Sequence, residues 1–229
     1  MNDIRTITID LDDTLWEIHP VIKRAEQQLY GWLGEHYPRI TEMYAPEDLR
    51  ELRTQLIAEF ADQSHDLTFL RHTVLGRAGT AAGYGTDFVD DAFAVFDAVR
   101  NDVEIFPEVV PALESLKERF VLIAVTNGNA NLATIGIDHF FSGIVTAAMA
   151  GAAKPARQVF DLAVQVGGAS ADQTLHVGDH PVYDVDGARG AGLRTAWVNR
   201  KASAWPLEYD KPEIEVTHIG ELPELLGIR

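Results

Sequence analysis

Residues 120–126, FVLIAVT, form an unbroken apolar run rich in β-branched and aromatic side chains. A run of that kind suits a strand buried on both faces, which is the condition of strands inside parallel sheets covered by helices. Residues 4–11 alternate apolar side chains with Thr and read as a first strand. Residues 143–148, 174–178 and 194–199 are shorter candidates of the same type, and 214–219 with the tail behind it closes the domain. Between them, 109–119, 156–166 and 184–191 carry helical periodicity. Strands therefore alternate with helices from residue 120 onward, which points to an α/β fold with a parallel sheet and right-handed crossovers.

The stretch 18–101 behaves differently. Residues 21–36, 46–62, 66–78 and 86–100 place apolar side chains at helical spacing, and Thr86-Asp87 ahead of Phe88-Val89 resembles a helix start. No strand interrupts them, so the spacing predicts a four-helix block inserted after the first strand. The expected organisation is an α/β core of residues 1–17 and 102–229 with a helical insertion at 18–101. Such an insertion would stand beside the carboxyl edge of the sheet, where open α/β folds bind ligands.

Charge removes several functions. The 229 residues carry 35 Asp and Glu against 19 Lys and Arg, a net charge of −16. An acidic chain lacks the basic face that nucleic-acid backbones or anionic membranes require. No apolar run approaches the ~20 residues that span a bilayer, and the first residues, MNDIRTITIDLDD, lack the basic and apolar pattern of a secretory signal. The absence of cysteine removes disulfides, thiol catalysis and thiolate zinc sites. The expectation is a soluble cytoplasmic protein, monomer or homodimer, acting on a small molecule.

Chemistry-bearing residues gather at the expected strand exits. Asp10, Asp12 and Asp13 follow the first strand, and Thr126-Asn127-Gly128 ends the second. Lys154-Pro155 precedes a helix, Gly178-Asp179 ends the 174–178 strand, and Asp184 follows five residues later. Singly, each has a structural explanation as a turn, a helix entry or a strand exit. Together they should face one crevice, because the strand exits belong to one sheet. Two carboxylates ~5 Å apart repel by roughly 3 kcal/mol at an effective dielectric near 20. Three or four in one crevice therefore demand a cation, and Mg²⁺ suits a few carboxylates, waters and a substrate phosphate. With the charge offset, a free Asp oxygen can attack phosphorus.

The ordered set Asp-x-Asp-x-Thr, Thr-Asn-Gly, Lys-Pro and Gly-Asp-x-x-x-x-Asp, running from Asp10 to Asp184, resembles the haloacid dehalogenase-like hydrolase superfamily. The resemblance implies a Rossmann-like, doubly wound parallel sheet with an inserted helical cap. It implies that Asp10 is the nucleophile and a Mg²⁺ ligand, and that Asp12 is the general acid and base whose backbone carbonyl binds the metal. It further implies that Thr126, Asn127 and Gly128 hold phosphate oxygens, that Lys154 neutralises charge, that Asp179 ligates Mg²⁺ and that Asp184 supports the site from behind. Asp13 stands where many relatives have Gly, and His180-Pro181 where a small polar residue is usual. His180 is expected to be loop or metal-periphery structure, and His176, inside a strand, a packed core histidine.

Within the superfamily, a haloacid dehalogenase, which displaces halide from carbon, needs neither a metal nor a second acid two residues after the nucleophile. Asp12 therefore favours phosphoester chemistry. A phosphomutase would share the whole site, and a phospho-ligand binding protein would be expected to lack a reacting group. The stretches TNGNANLATIGIDHFF and GARGAGLRTAWVN are most similar to bacterial phosphatases of flavin mononucleotide and of the ribitylaminouracil phosphate of riboflavin synthesis. Trp16, His19, Arg71 and His72 are candidates for specificity, set against plainer readings as packing or surface residues.

Overall fold

A computed structural model describes residues 3–206 and 208–228 of the chain. It divides into two compact units, one running to residue 17 and resuming at 104, the other spanning 18–103.

The first unit is built on six strands: β1 (Thr6–Ile9), β2 (Val121–Thr126), β3 (Gly143–Thr146), β4 (Thr174–Gly178), β5 (Arg194–Val198) and β6 (Ile214–Val216). They form one sheet in the order β3-β2-β1-β4-β5-β6, with every pairing parallel. All four residues of β1 and all five of β4 are buried. Both faces of these strands are therefore covered, and the polar residues that alternate along them, Thr6 and Thr8 in β1 and Thr174 and His176 in β4, are buried with the apolar ones. Strand order reverses around β1, which pairs with β2 on one side and β4 on the other. The crevice at the carboxyl ends of β1 and β4 is thus a topological switch point, where α/β sheets bind ligands. The helix Arg157–Gly167 covers one face by burying Val159 and Ala163 against Ile123, Val125 and Val145.

The second unit contains α1 (Ile18–His36), α2 (Pro38–Met43), α3 (Pro46–Glu59), α4 (Leu67–Ala81) and α5 (Val89–Arg100). Val21, Ala25, Leu29 and Leu33 make a buried stripe on α1, and Val89, Ala92 and Phe96 face inward from α5. All of these but Val21 join Leu75 and Ala78 of α4 in one core. Asp66 caps α4 by accepting a hydrogen bond from the Phe69 amide at 2.9 Å. The insertion therefore holds five α-helices among the described residues, one more than periodicity predicts. The extra element, α2, has six residues and buries only Ile40, too little to register as a periodic face. Helix α1 also starts three residues earlier than expected, because Pro20 lies in a first turn whose amides need no intrahelical partner.

No helix among the described residues is long and apolar enough to cross a membrane.

Candidate active site

Asp10 leaves β1 with its amide donating to the Val177 carbonyl at 2.8 Å, so the β1–β4 pairing continues one residue past the strand. The chain then folds into a tight turn. Asp13 takes a left-handed conformation with φ 63° and donates its amide to the Trp16 carbonyl at 2.8 Å. Glycine adopts that backbone without strain, and Asp is among the side chains that tolerate it. The turn aims Thr14 back at Asp10, with its hydroxyl donating to Asp10 Oδ2 at 3.1 Å. It also brings the Trp16 indole N–H to Asp12 Oδ1 at 2.9 Å. Trp16 itself is fully buried.

Lys154 lies at the centre of the cluster. Its ammonium donates to Asp10 Oδ1 at 2.5 Å, to Asp184 Oδ1 at 2.6 Å and to the Val125 carbonyl at 3.3 Å. The side chains of Lys154, Asp10 and Asp184 are 3%, 8% and 2% exposed, so this is an interior ion cluster rather than a surface pair. Asn127 fixes the backbone that carries the lysine. Its Oδ1 accepts from the Lys154 amide at 2.6 Å, and its Nδ2 donates to the Lys154 carbonyl at 3.0 Å. The Asn127 side-chain amide is therefore engaged with the Lys154 backbone. Thr126 Oγ1 accepts from the Gly128 amide at 2.9 Å, which leaves its own proton to donate.

The exit of β4 supplies the remaining acids. The Asp179 carbonyl accepts from the Trp197 indole at 2.7 Å. Asp184 is approached from three sides: by Lys154, by the His180 amide at 2.9 Å, and by His176 Nε2 at 3.1 Å. Gly178 makes that approach possible, since a Cβ there would lie 2.3 Å from Asp184 Cγ. His176 is fully buried, as expected of a core residue, but it also bridges Thr8 and Asp184, with Thr8 Oγ1 2.8 Å from Nδ1. Burial holds its pKa down, outweighing the opposing pull of Asp184. The neutral ring then accepts from Thr8 and donates to Asp184. His180 caps the turn Pro181–Asp186, its Nδ1 accepting from the Val182 and Tyr183 amides at 3.2 and 3.1 Å. That turn starts three residues ahead of the expected helix at 184, because histidine is not a usual N-cap signal.

Asp10, Asp179 and Asp184 can each bring one carboxylate oxygen within 4.8 Å of the other two. Burial raises the pKa of Asp10 well above its usual range against the pull of Lys154, with Asp184 and Asp179 adding to the rise. Asp179 is pushed up to about 7 by burial, Asp184 and Asp13. Asp184 goes the other way. Burial opposes its ionisation, but Lys154 and His176 outweigh it, so its carboxylate stays charged. Lys154 remains protonated because Asp10 and Asp184 outweigh its own burial. Three carboxylates facing one ammonium leave a deficit of two charges, which a divalent cation matches. Hard oxygen donors of this type fit Mg²⁺, and Asp10, Asp179 and Asp184 are the residues that would hold it.

The raised pKa of Asp179 has a measurable consequence without metal. Between about pH 4 and 7 the folded protein holds a proton on Asp179 that the unfolded chain releases, so this group's contribution to stability falls as pH rises. In EDTA, the melting temperature of wild type should drop relative to Asp179→Asn as pH rises through that window. Mg²⁺ should remove or reverse the difference at pH 8. Parallel curves for the two proteins would contradict the electrostatic account.

Among the residues expected to form the site, the structure brings together Asp10, Lys154, Asp179 and Asp184, with Asn127 supporting the lysine. The Asp12 carboxylate rests on Trp16, four residues along the same turn. Sequence reasoning assigned no role to Thr14 and no partner to His176. Thr14 was visible in the Asp-x-Asp-x-Thr spacing, whereas nothing in sequence pairs His176 with Asp184. Of the specificity candidates, Trp16 is buried and tied to Asp12, while His19 is exposed. Arg71 and His72 belong to α4.

A family model described as haloacid dehalogenase-like hydrolase matches residues 4–192. Over 97% of this chain and 96% of the relative, the sequence is 27% identical to the 5-amino-6-(5-phospho-D-ribitylamino)uracil phosphatase YigB of Escherichia coli K12. It is also 27% identical to (S)-2-haloacid dehalogenase 2 of Pseudomonas sp. CBS-3, over 99% of this chain and 97% of that one. The crystal structure of a 2-haloacid dehalogenase from Pseudomonas syringae pv. tomato DC3000 superposes with a TM-score of 0.93 at 38% identity, covering 97% of this chain and 98% of that one.

Proposed function

The chain belongs to the haloacid dehalogenase-like hydrolase family, and on that premise we propose that it is a Mg²⁺-dependent phosphomonoester hydrolase working through an aspartyl-phosphate on Asp10. The observation that carries this reading is the excess of buried carboxylate over cation: Asp10, Asp179 and Asp184 against Lys154 alone. Displacing halide from carbon gives no reason to build that deficit. Phosphoryl transfer does, because positioning and electrostatics supply most of its catalysis.

In this reading Asp10 attacks the phosphorus and the ester oxygen leaves as an alcohol, taking its proton from Asp12. Asp12 then removes a proton from water as that water attacks the same phosphorus, which releases phosphate and restores the Asp10 carboxylate. Trp16 holds the Asp12 carboxylate in place through both steps. Lys154 stays charged and opposes the negative charge that gathers as the bond forms, while the Thr126 hydroxyl donates to a phosphoryl oxygen. Mg²⁺ held by the Asp10, Asp179 and Asp184 carboxylates would supply further charge neutralisation at the phosphoryl group. The substrate is a small phosphorylated metabolite. The name of the Escherichia coli relative makes a ribitylaminouracil phosphate and flavin mononucleotide the first compounds to try.

The similarity to proteins named 2-haloacid dehalogenase favours one competing reaction, in which Asp10 displaces halide from carbon. Parallel assays separate the two: phosphate release from p-nitrophenyl phosphate and flavin mononucleotide, and chloride release from 2-chloropropionate, each with Mg²⁺ and with EDTA. The expected result is phosphate release that EDTA suppresses and that Asp12→Asn lowers by ~10²–10⁴-fold, the usual worth of a general acid and base. Chloride release indifferent to EDTA and to Asp12→Asn would establish the dehalogenase instead.

A further inference from the structure

The helical unit has a cleft of its own between α1, α3 and α4, with a cavity of about 60 Å³ lined by Tyr30, Leu75, Glu26, Arg50, Arg53 and Arg71 among others. Three arginines in one cleft stand out in a chain whose net charge is −16. Glu26 does not neutralise them. It pairs with Arg50 at 3.1 Å, and Arg50 also pairs with Glu47 at 3.1 Å. Arg53 and Arg71 have no hydrogen-bond or ion-pair partner among the described residues. Arg71 is half-buried, and its guanidinium carbon lies 3.5 Å from the centre of the Phe96 ring, a stacking contact that leaves the N–H edge free. Burial, with Arg53 beside it, pulls the Arg71 pKa down to about 10 against the influence of Glu26, so the group is charged at neutral pH yet poorly compensated.

Two half-buried guanidiniums without a carboxylate partner, lining one cleft, concentrate positive charge where an anion can reach it. Two free guanidiniums match the charge of a phosphate at neutral pH, ≈ −1.5 to −2, better than that of a single carboxylate. A cavity of that size suits an oxyanion headgroup rather than a nucleotide base. We propose that the Arg53–Arg71 cleft of the helical unit is a binding site for the phosphate group of a small molecule, separate in its residues from the Asp10 cluster. The apolar neighbours Leu29, Leu49, Val74 and Leu75 give the organic part of that molecule a surface to pack on.

Calorimetric titration of the full-length chain in EDTA tests this, with inorganic phosphate as the probe and acetate as the singly charged control. Wild type should bind phosphate saturably and acetate at least tenfold more weakly. Arg71→Met keeps the apolar stem and should weaken phosphate binding at least tenfold, Arg71→Lys less, and Thr126→Val, which alters only the β2 exit, should keep the Arg71-dependent isotherm. Arg53→Met should also weaken binding and carries the test if Arg71→Met fails to fold. Phosphate binding unchanged in Arg71→Met or Arg53→Met, no saturable binding by wild type, or acetate binding as tightly as phosphate would overturn the proposal. A second reading separates the sources of the phosphate. If it belongs to the substrate, Arg71→Met raises KM for bisphosphorylated compounds while leaving kcat and the KM for p-nitrophenyl phosphate unchanged. If it belongs to a separate effector, no substrate's KM responds without that effector.

Discussion

Asp10→Asn is expected to abolish turnover while leaving the protein folded. The change keeps one oxygen to accept from Lys154, and the new amide NH2 can donate to the Thr14 hydroxyl, so both side chains that hold Asp10 still find a partner. It removes one of three carboxylates crowded around a single ammonium, so the melting temperature in EDTA should hold or rise. An amide oxygen is a poor nucleophile towards phosphorus, and loss of a covalent nucleophile typically costs ~10⁴–10⁶-fold in rate. Phosphate release should therefore fall by at least ~10⁴-fold, with the far-UV spectrum unchanged. Residual activity above a tenth of wild type would show that Asp10 does not form the covalent bond.

Lys154→Met should damage stability as well as activity. Methionine approximates the volume of the lysine stem but leaves Asp10 and Asp184 facing each other without the ammonium that joins them at 2.5 and 2.6 Å. Removing one member of a buried ionic cluster typically costs ~3–5 kcal/mol, because the remaining charge is left unpaired. The loss should depend on pH. At pH 5 a carboxyl can take up a proton and relieve the repulsion, so the urea midpoint should approach that of wild type. At pH 8 relief requires the proton to be held against solution, and the midpoint should fall well below it. Mg²⁺ should recover part of the stability at pH 8 but not the activity. Equal midpoints for variant and wild type at pH 8 would mean that Lys154 does not hold the cluster together.

The fold and the site were legible in the sequence to different depths. The continuous apolar run 120–126 announces a doubly covered strand, and once one strand is parallel and buried the exits of the others must converge. That convergence is why Asp10, Lys154, Asp179 and Asp184 could be gathered from positions 174 residues apart. The side-chain partnerships were less visible. Thr126, Asn127 and Gly128 read as one phosphate-binding group, and nothing in the sequence shows that the Asn127 side chain also bonds the Lys154 backbone, a pairing that depends on how two loops cross. His176 sits inside a strand whose pattern says only that it is buried, and its bond to Asp184 exists because the turn after β4 folds back. The early start of that turn at Pro181 was hidden for a related reason: His180 caps it through a ring nitrogen. Arg71 could be singled out as a polar residue on a helix, yet its burial and its position over Phe96 arise from the packing of four helices.

The most direct measurement is mass spectrometry of the full-length protein quenched in acid during turnover of p-nitrophenyl phosphate with Mg²⁺, followed by mapping of any phosphoryl group. Acid preserves an acyl phosphate long enough to locate it. The account predicts one phosphoryl group on the peptide carrying Asp10, more of it in Asp12→Asn, where the water attack lacks its base, and none in Asp10→Asn. Steady phosphate release with no adduct on Asp10, or with the adduct on another residue, would contradict it.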